Sequence, residues 1–444
     1  YCCCTSNMRY GNVALGLFGN SFIMLQYHGG RVRAHDVFLL VSIVLMGTHI
    51  PISSWAQAST QSMGSFDFNA DGVVFQSADT NTRVTMRFRM QNWATYTTRT
   101  MTEDEELDVS GGSTDMVTRR LRVRFGGSLA DPRLTFNLQL SFSRLDIDWN
   151  DNQFPNIIRD AMVFWNFSRD LQIGFGQTKL PGNRQRVVSS ADLEVPDRSI
   201  VNGAFNLDRD FGFLGFWRPI TGDVVVNLRG AITSGDGRNR PVVPGGGLAY
   251  TGRVEVLPLG AFAGGGDYFE GDILREQKPK LSFAVSYHRN DRQIKTRGTL
   301  GRALYAQRSS EIVYADALFK YSGLSIYTEY AQRRSNDPVT YRDTARQEAS
   351  AIFVGSGYLA QASYVFPSMW NVAARFAVVD AGAQLTGLAE YTKQTNIAGV
   401  VGYYFNRHRI KANFEVGTNR TTLYNRANAR ESTLYGRFNV ELGI

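Results

Sequence analysis

From residue 82 onward, apolar and polar positions alternate along the chain. Leu134, Phe136, Leu138, Leu140 and Phe142 interleave with Thr135, Asn137, Gln139, Ser141 and Ser143. Val84, Met86, Phe88 and Met90 interleave with Arg83, Thr85, Arg87, Arg89 and Gln91. The last stretch sets Leu434, Gly436, Phe438, Val440, Leu442 and Ile444 against Tyr435, Arg437, Asn439 and Glu441. A period of two puts one face of a strand in an apolar medium and the other in water. Repeated over segments of roughly 10 residues, it predicts an all-β protein, a transmembrane antiparallel barrel. Sixteen segments carry the pattern: 82–93, 116–130, 133–146, 159–168, 170–178, 210–219, 222–233, 248–258, 280–290, 311–321, 323–333, 353–366, 370–380, 394–406, 408–419 and 431–443.

The spacing of these segments is an independent signal. Short turns fall at Asp131-Pro132, Ser168-Arg169-Asp170, Ile220-Thr221, Ser322, Pro367-Ser368-Met369 and Asn406-Arg407. Long polar connections fall between them, at 94–115, 147–158, 179–209, 234–247, 291–310, 334–352, 381–393 and 420–430. Short periplasmic turns and long extracellular loops alternate in this way in outer-membrane barrels, whereas a soluble sandwich has no reason to do so. One connection breaks the rule: 259–279 falls on the turn side yet is long and glycine-rich. An even strand number closes the sheet and removes the edges that lipid cannot satisfy.

Residues 1–58 read as upstream sequence followed by an export signal. Arg31 and Arg33 precede the apolar stretch Val37 to Gly47, and Ala56-Gln57-Ala58 supplies a small-x-small cleavage site. That stretch is too short for a spanning helix. Residues 59–81 then lead into a barrel of 82–444. The three cysteines are Cys2, Cys3 and Cys4, so the exported part has no disulfide, thiolate metal site or cysteine nucleophile. Slightly negative mean hydropathy excludes a polytopic helical protein.

Charge changes the picture next. The chain carries 41 Arg against 7 Lys, a bias that suits bidentate contact with oxyanions. On the polar parity, facing the lumen, lie Arg83, Arg87, Arg89, Arg120, Arg122, Arg124, Arg229, Arg253, Lys320, Arg375, Lys411 and Arg437. The acids of that parity are Asp160, Glu255, Asp316, Glu329, Glu415 and Glu441. A confined aqueous channel with this excess should enrich anions such as phosphate and chloride. Arg119 falls on the lipid parity, where it would snorkel to the headgroups. The connection 179–209 can fold inward as a constriction, with Lys179, Arg184, Arg186 and Arg198 beside Ser189 and Ser190 as oxyanion donors; the alternative is a solvated loop facing lipopolysaccharide phosphates.

Arg119-Arg120-Leu121-Arg122-Val123 with Gly126-Gly127 resembles the paired-arginine strand of the phosphate-selective porin O and P family. Asp160-Ala161, Ile173 to Gln177, Lys179 to Ser190 and Asp208 to Gly212 are similar to the hairpin and long loop that follow there. The resemblance covers about residues 66–220. It implies an outer-membrane channel of sixteen strands, usually a homotrimer, with arginines lining the path. By position, Arg89, Arg119 and Arg120 match lumen arginines, and Arg186 matches the basic residue before the paired serines. Two features depart from the family: lysine is scarce, which bears on phosphate selectivity, and the chain ends in Ile444 rather than Phe.

Other chemistries find little footing. His288 and His408 are the only histidines after residue 58, and neither sits in a nucleophile-elbow pattern, so no enzyme is expected. Asp146, Asp148 and Asn150 begin like a calcium loop, but Asp151 stands where glycine is needed. No cofactor or metal is expected, and the basic residues follow strand parity rather than aromatic clusters, which argues against nucleic acid. A general porin with little selectivity, or a barrel whose loops serve adhesion or assembly, would share the same strand pattern.

Overall fold

Strands with one apolar and one polar face, and with no edge left open, have one economical solution in a bilayer: a closed sheet. The computed structural model describes residues 64–444 apart from 70–71, 104–105, 147, 150–154, 240–245, 346–347, 386, 389–390 and 425–428. These residues lie in one unit, Ser62–Ile444; the export signal read at 1–58 lies outside them. Sixteen antiparallel strands form the barrel. They are β1 Arg83–Glu103, β2 Glu106–Leu129, β3 Asp131–Ser141, β4 Ile158–Asn166, β5 Leu171–Lys179, β6 Arg209–Ile220, β7 Val225–Thr233 and β8 Ala249–Leu257. The second half comprises β9 Lys280–Arg297, β10 Leu300–Tyr321, β11 Leu324–Arg334, β12 Gly355–Val365, β13 Trp370–Ala381, β14 Tyr391–Asn406, β15 Ile410–Leu423 and β16 Arg430–Gly443. Each pairs with the next, and β16 returns to β1 from Arg430↔Thr102 to Gly443↔Arg89. Each of the sixteen strands contains most of one alternating segment.

The outer face is apolar, with Phe175, Phe213, Val254, Val285, Ile326, Phe376, Val401, Phe414 and Leu434 all exposed on it. Trp165, Trp217, Trp370 and Phe405 stand at the end with the short turns, as an aromatic girdle does at a membrane interface. Among the described residues no helix is long and apolar enough to cross a membrane. At the turn end Ser322 (φ 50°) and Gly323 (φ 96°) close β10 to β11 in two residues, the left-handed backbone that a tight hairpin needs.

Two expected loops are strands instead. Residues 94–103, 106–115 and 291–310 continue the β1–β2 and β9–β10 hairpins, with Glu103 paired to Glu106 in the first and a turn at Gly298-Thr299 in the second. Beyond the lipid both strand faces meet water, so the apolar alternation stops while backbone pairing goes on. Residues 65–76, of unassigned role in the sequence, form a hairpin of Ser65–Asn69 and Gly72–Gln76. Its second strand pairs with Arg83 to Met86 of β1, below the point where β16 ends.

The lumen is occupied from both ends. The β5–β6 connection, residues 180–208, folds inward with two short helices, α1 Arg184–Val187 and α2 Ile200–Phe205; Ser199 caps α2 by accepting from Asn202 N. Leu180, Val201, Phe205 and Leu207 are fully buried against Ile312, Tyr314, Leu318, Leu359, Ala377 and Val379 of β10, β12 and β13. These wall residues sit on the lumen parity, and their apolar character is what lets a loop dock there. From the turn end the long connection between β8 and β9 also enters the barrel and meets the loop.

Candidate functional site

The wall opposite the docked loop is built by β1 and β2. Their register sets Arg87 across from Arg124, Arg89 across from Arg122 and Gln91 across from Arg120, with Arg83 nearest the turn end. Like charges directly opposite each other destabilise a sheet unless other groups compensate them. Three of these arginines find partners on the loops. Arg89 Nε meets Glu441 at 2.5 Å, and its Nη1 donates to Ser190 Oγ at 2.7 Å. Arg122 Nε donates to Asp146 at 2.5 Å and its Nη1 to the same Ser190 hydroxyl at 3.1 Å. Arg120 Nη2 donates to Asp197 at 2.7 Å. Lower down, Arg87 and Arg124 are exposed. With Arg83, Thr85, Ser128 and Thr135 they line a cavity of about 460 Å3 at the turn-end mouth. The ladder thus climbs from an open vestibule to the inward loop.

Arg119 corrects the parity reading. The register slips between Gln91 and Asn92, so Arg120 pairs with Gln91, Thr118 with Asn92, and Arg119 is the extra residue. A bulge of this kind re-aims a side chain. The guanidinium points to Asp197 at 3.3 Å instead of to headgroups, and lies 5.3 Å from the Trp93 ring centroid. Arg437 stacks on the same indole at 4.3 Å, so one lumen tryptophan sits beside two cations. The sequence reading did not single out Trp93, although its parity with Gln91 and Thr95 places it inward.

The four candidate constriction residues are all brought inside the barrel. Lys179 Nζ donates to the carbonyls of Val187 and Val188 at 3.2 and 3.1 Å. Arg184 is buried, with ion pairs to Glu255 at 2.5 Å and Asp316 at 2.6 Å and a bond to the Asp267 carbonyl. Arg186 pairs with Asp208. Arg198 donates to the Gln185 and Val188 carbonyls, both at 2.8 Å. These contacts hold the loop's own fold. Burial and the neighbouring Arg120 bring the Arg198 guanidinium down to about 9. Burial, then Arg198 and Arg209, pull Arg186 well down too. A cation depressed by its like-charged neighbours is one that an arriving anion stabilises.

The twelve-to-six excess read from the strands is offset by acids that the connections bring in. Asp146 neutralises Arg122 and Arg159, Asp197 pairs with Arg119 and Arg120, and Asp208 with Arg186, Arg209 and Arg238. Within the wall Glu415 holds Arg375 and Arg437, and Glu441 holds Arg89 and Lys411. Loop acids follow no strand period, so parity counting missed them. Among the described residues no group of His, Cys, Asp and Glu could hold a metal ion; Asn150 of the calcium-like stretch and the side chains of the acidic run Glu103 to Asp108 lie outside them.

No family model matches the chain, and no curated relative does. Among solved structures, the outer membrane channel DcaP of Acinetobacter baumannii is 11% identical, with 83% of this chain and 99% of that one covered, at a TM-score of 0.49. An anion-selective porin from Comamonas acidovorans is 11% identical over 82% of this chain and 100% of its own, at 0.46. Pseudomonas putida OprB is 9% identical over 81% and 94%, at 0.48. These likenesses are weak, and the reading of function rests on the chain's own residues.

Proposed function

We propose that this barrel is an outer-membrane porin for passive diffusion of small hydrophilic solutes, with a preference for anions. The observation that carries the reading is the arginine ladder on β1 and β2. Six guanidiniums on two neighbouring strands run from the turn-end cavity to the loop that narrows the lumen. A row of donors on one wall offers an oxyanion several weak sites in succession, which lowers the barrier and still lets the ion leave. Lys179, Arg186 and Arg198, clustered with Arg159 and Arg209 behind the loop, add to the field. Arg184, with its donors committed to Glu255, Asp316, Ser282 and Asp267, acts as the anchor that seats the loop. Phosphate is the oxyanion for which the meeting of Arg89, Arg122 and Ser190 offers the best set of donors. A homotrimer in contact with lipopolysaccharide belongs to the same reading.

One observation favours a second reading, a general porin. Asp146, Asp197 and Glu441 neutralise the three arginines closest to the loop, leaving less net field than the strands alone suggest. Single-channel recording of residues 59–444 in a planar bilayer separates the two. An anion-favouring reversal potential in a KCl gradient, with chloride current blocked by phosphate and the block relieved in Arg120→Ala and Arg122→Ala, supports the anion path. Ohmic conductance without ion preference leaves the general porin, and absence of conductance from inserted protein removes the channel reading.

A further inference from the structure

The connection between β8 and β9 is the one that breaks the turn-length rule, and its course explains why. Residues 258–279 enter the barrel from the turn end, and Lys320 of β10 clamps them there. Its ammonium donates to the carbonyls of Gly266, Phe269 and Gly271 at 2.7, 2.8 and 2.6 Å. Tyr268 OH donates to Glu255 at 2.8 Å, and Gly323 N donates to Asp272 at 2.7 Å. The insert therefore reaches the inward loop of the opposite end. There Glu270 N donates to the Asp192 carbonyl at 2.8 Å, and Glu194 N donates to Glu270 Oε2 at 3.1 Å. Both carboxylates also take the same amide group. Gln361 Nε2 donates to Glu194 Oε1 at 2.7 Å and to Glu270 Oε2 at 3.1 Å.

Two buried carboxyl groups that meet at one side-chain amide repel each other when both are charged, and a proton on one of them removes the repulsion. Glu194 and Glu270 are 2% and 7% exposed, and the space between loop and insert is a cavity of about 10 Å3, room for one water at most. Glu194 Oε2 is buried beside the Ser363 hydroxyl and the backbone of Gly271, in a space that a Cβ at 271 would fill. A charged carboxylate in so enclosed a place costs far more than a neutral one. The charged and titratable groups facing the pair are Arg184, Asp192 and Arg198 on the loop, Asp267, Asp272 and Glu276 on the insert, Lys320 on β10 and Tyr327 on β11. Tyr404 on β14, His408 at the β14–β15 turn, Lys411 on β15 and Glu441 on β16 complete the surround.

We infer that the Glu194–Glu270 contact is a proton-dependent latch that fastens the constriction loop to the turn-end insert and releases it when Glu194 loses its proton. Burial, then Glu270, push the Glu194 carboxyl up to about 7. The sign follows: a carboxyl raised in the latched state favours that state at low pH and loses the benefit as pH rises through 7. Release detaches the Asp192–Asp197 segment from the insert and leaves it on its wall tethers from Lys411, Asn413, Gln91 and Arg375; its far end touches Arg119 and Arg120 on the ladder.

The test is single-channel recording of the wild type in KCl at pH 5.5, 7 and 8.5, with Glu194→Gln and Glu270→Gln alongside. The expected result is a unitary conductance that rises at least about twofold between the lowest and highest pH, with a midpoint near 7, and that is flat in each glutamine variant. A wild-type conductance unchanged over this range overturns the latch, and needs no variant to do so. A glutamine variant that keeps the wild-type dependence also overturns it, by assigning the titration elsewhere. Ion preference is read separately from reversal potentials, so the latch and the anion path can fail independently.

Discussion

Asp197→Asn perturbs the narrow part of the path with little change of shape. The carboxylate accepts from Arg120 Nη2 at 2.7 Å and Arg119 Nη2 at 3.3 Å, and the Asp197 carbonyl is held by Arg375 Nη1 at 2.7 Å. Asparagine keeps the backbone tether and one acceptor, and removes one negative charge. At about 8 Å from a permeating ion, in a water-like dielectric, a unit charge contributes about 0.5 kcal/mol. Its loss lowers the barrier for an anion by that amount and raises it for a cation by the same. The difference, about 1 kcal/mol, is roughly a fivefold rise in the anion-to-cation permeability ratio. Focusing by the barrel wall makes the effect larger rather than smaller. The assay is the reversal potential of wild type and variant under the same KCl gradient. A ratio that stays within about twofold of wild type, or moves toward cations, would refute the placement of the Asp197–Arg120 pair on the ion path.

Three further outcomes are expected. Phe205→Ala empties the buried seat of the loop, at a cost of about 3–5 kcal/mol, while the strand pairing stays intact. The barrel should keep its heat-modifiable mobility on gels and show higher, noisier conductance; unchanged conductance would count against a docked loop. Burial works against the Asp146 and Asp197 carboxylates, but Arg122 and Arg159 at the first and Arg120 and Arg119 at the second hold both well below the usual carboxylate range. Their stabilisation is therefore complete above the unfolded value near 4 and lost as pH falls further, so channel noise should rise below about pH 4 and not between 4 and 6. Removal of Ser65–Gln76 should leave the barrel closed and its conductance unchanged, because β16 pairs with β1 from Arg89 to Thr102 without it; failure to fold would show that the hairpin supports closure.

Strands crossing lipid were legible in the sequence because every second residue there must be apolar. That requirement ends at the membrane boundary, so the outer halves of β1, β2, β9 and β10, rich in Thr, Arg and Gln, read as loops. It also says nothing of what fills the lumen. Ile312, Tyr314, Leu318 and Leu359 on the inward parity were the trace of the docked loop, an apolar patch where water was expected. The arginine ladder was visible from parity alone, apart from Arg119, whose position depends on a bulge one residue long. Its partners were not: Asp146, Asp197 and Asp208 sit on connections that obey no period.

The seam between β1 and β16 bears on the order in which the molecule assembles. Arg89 and Glu441 meet across 352 residues of sequence, so one edge of β1 must wait for the last strand before its hydrogen bonds are met, while the other pairs with β2. Long-range closure of this kind is slow, and an unpaired strand edge invites pairing with another chain while it waits. The hairpin of Ser65–Asn69 and Gly72–Gln76 pairs with the same edge, next to the stretch reserved for β16, and is adjacent to β1 in sequence. It shortens the bare edge of β1 and marks where β16 has to stop. The N-terminal segment is then a selvage on the first strand, covering the few residues of edge that the last strand leaves bare.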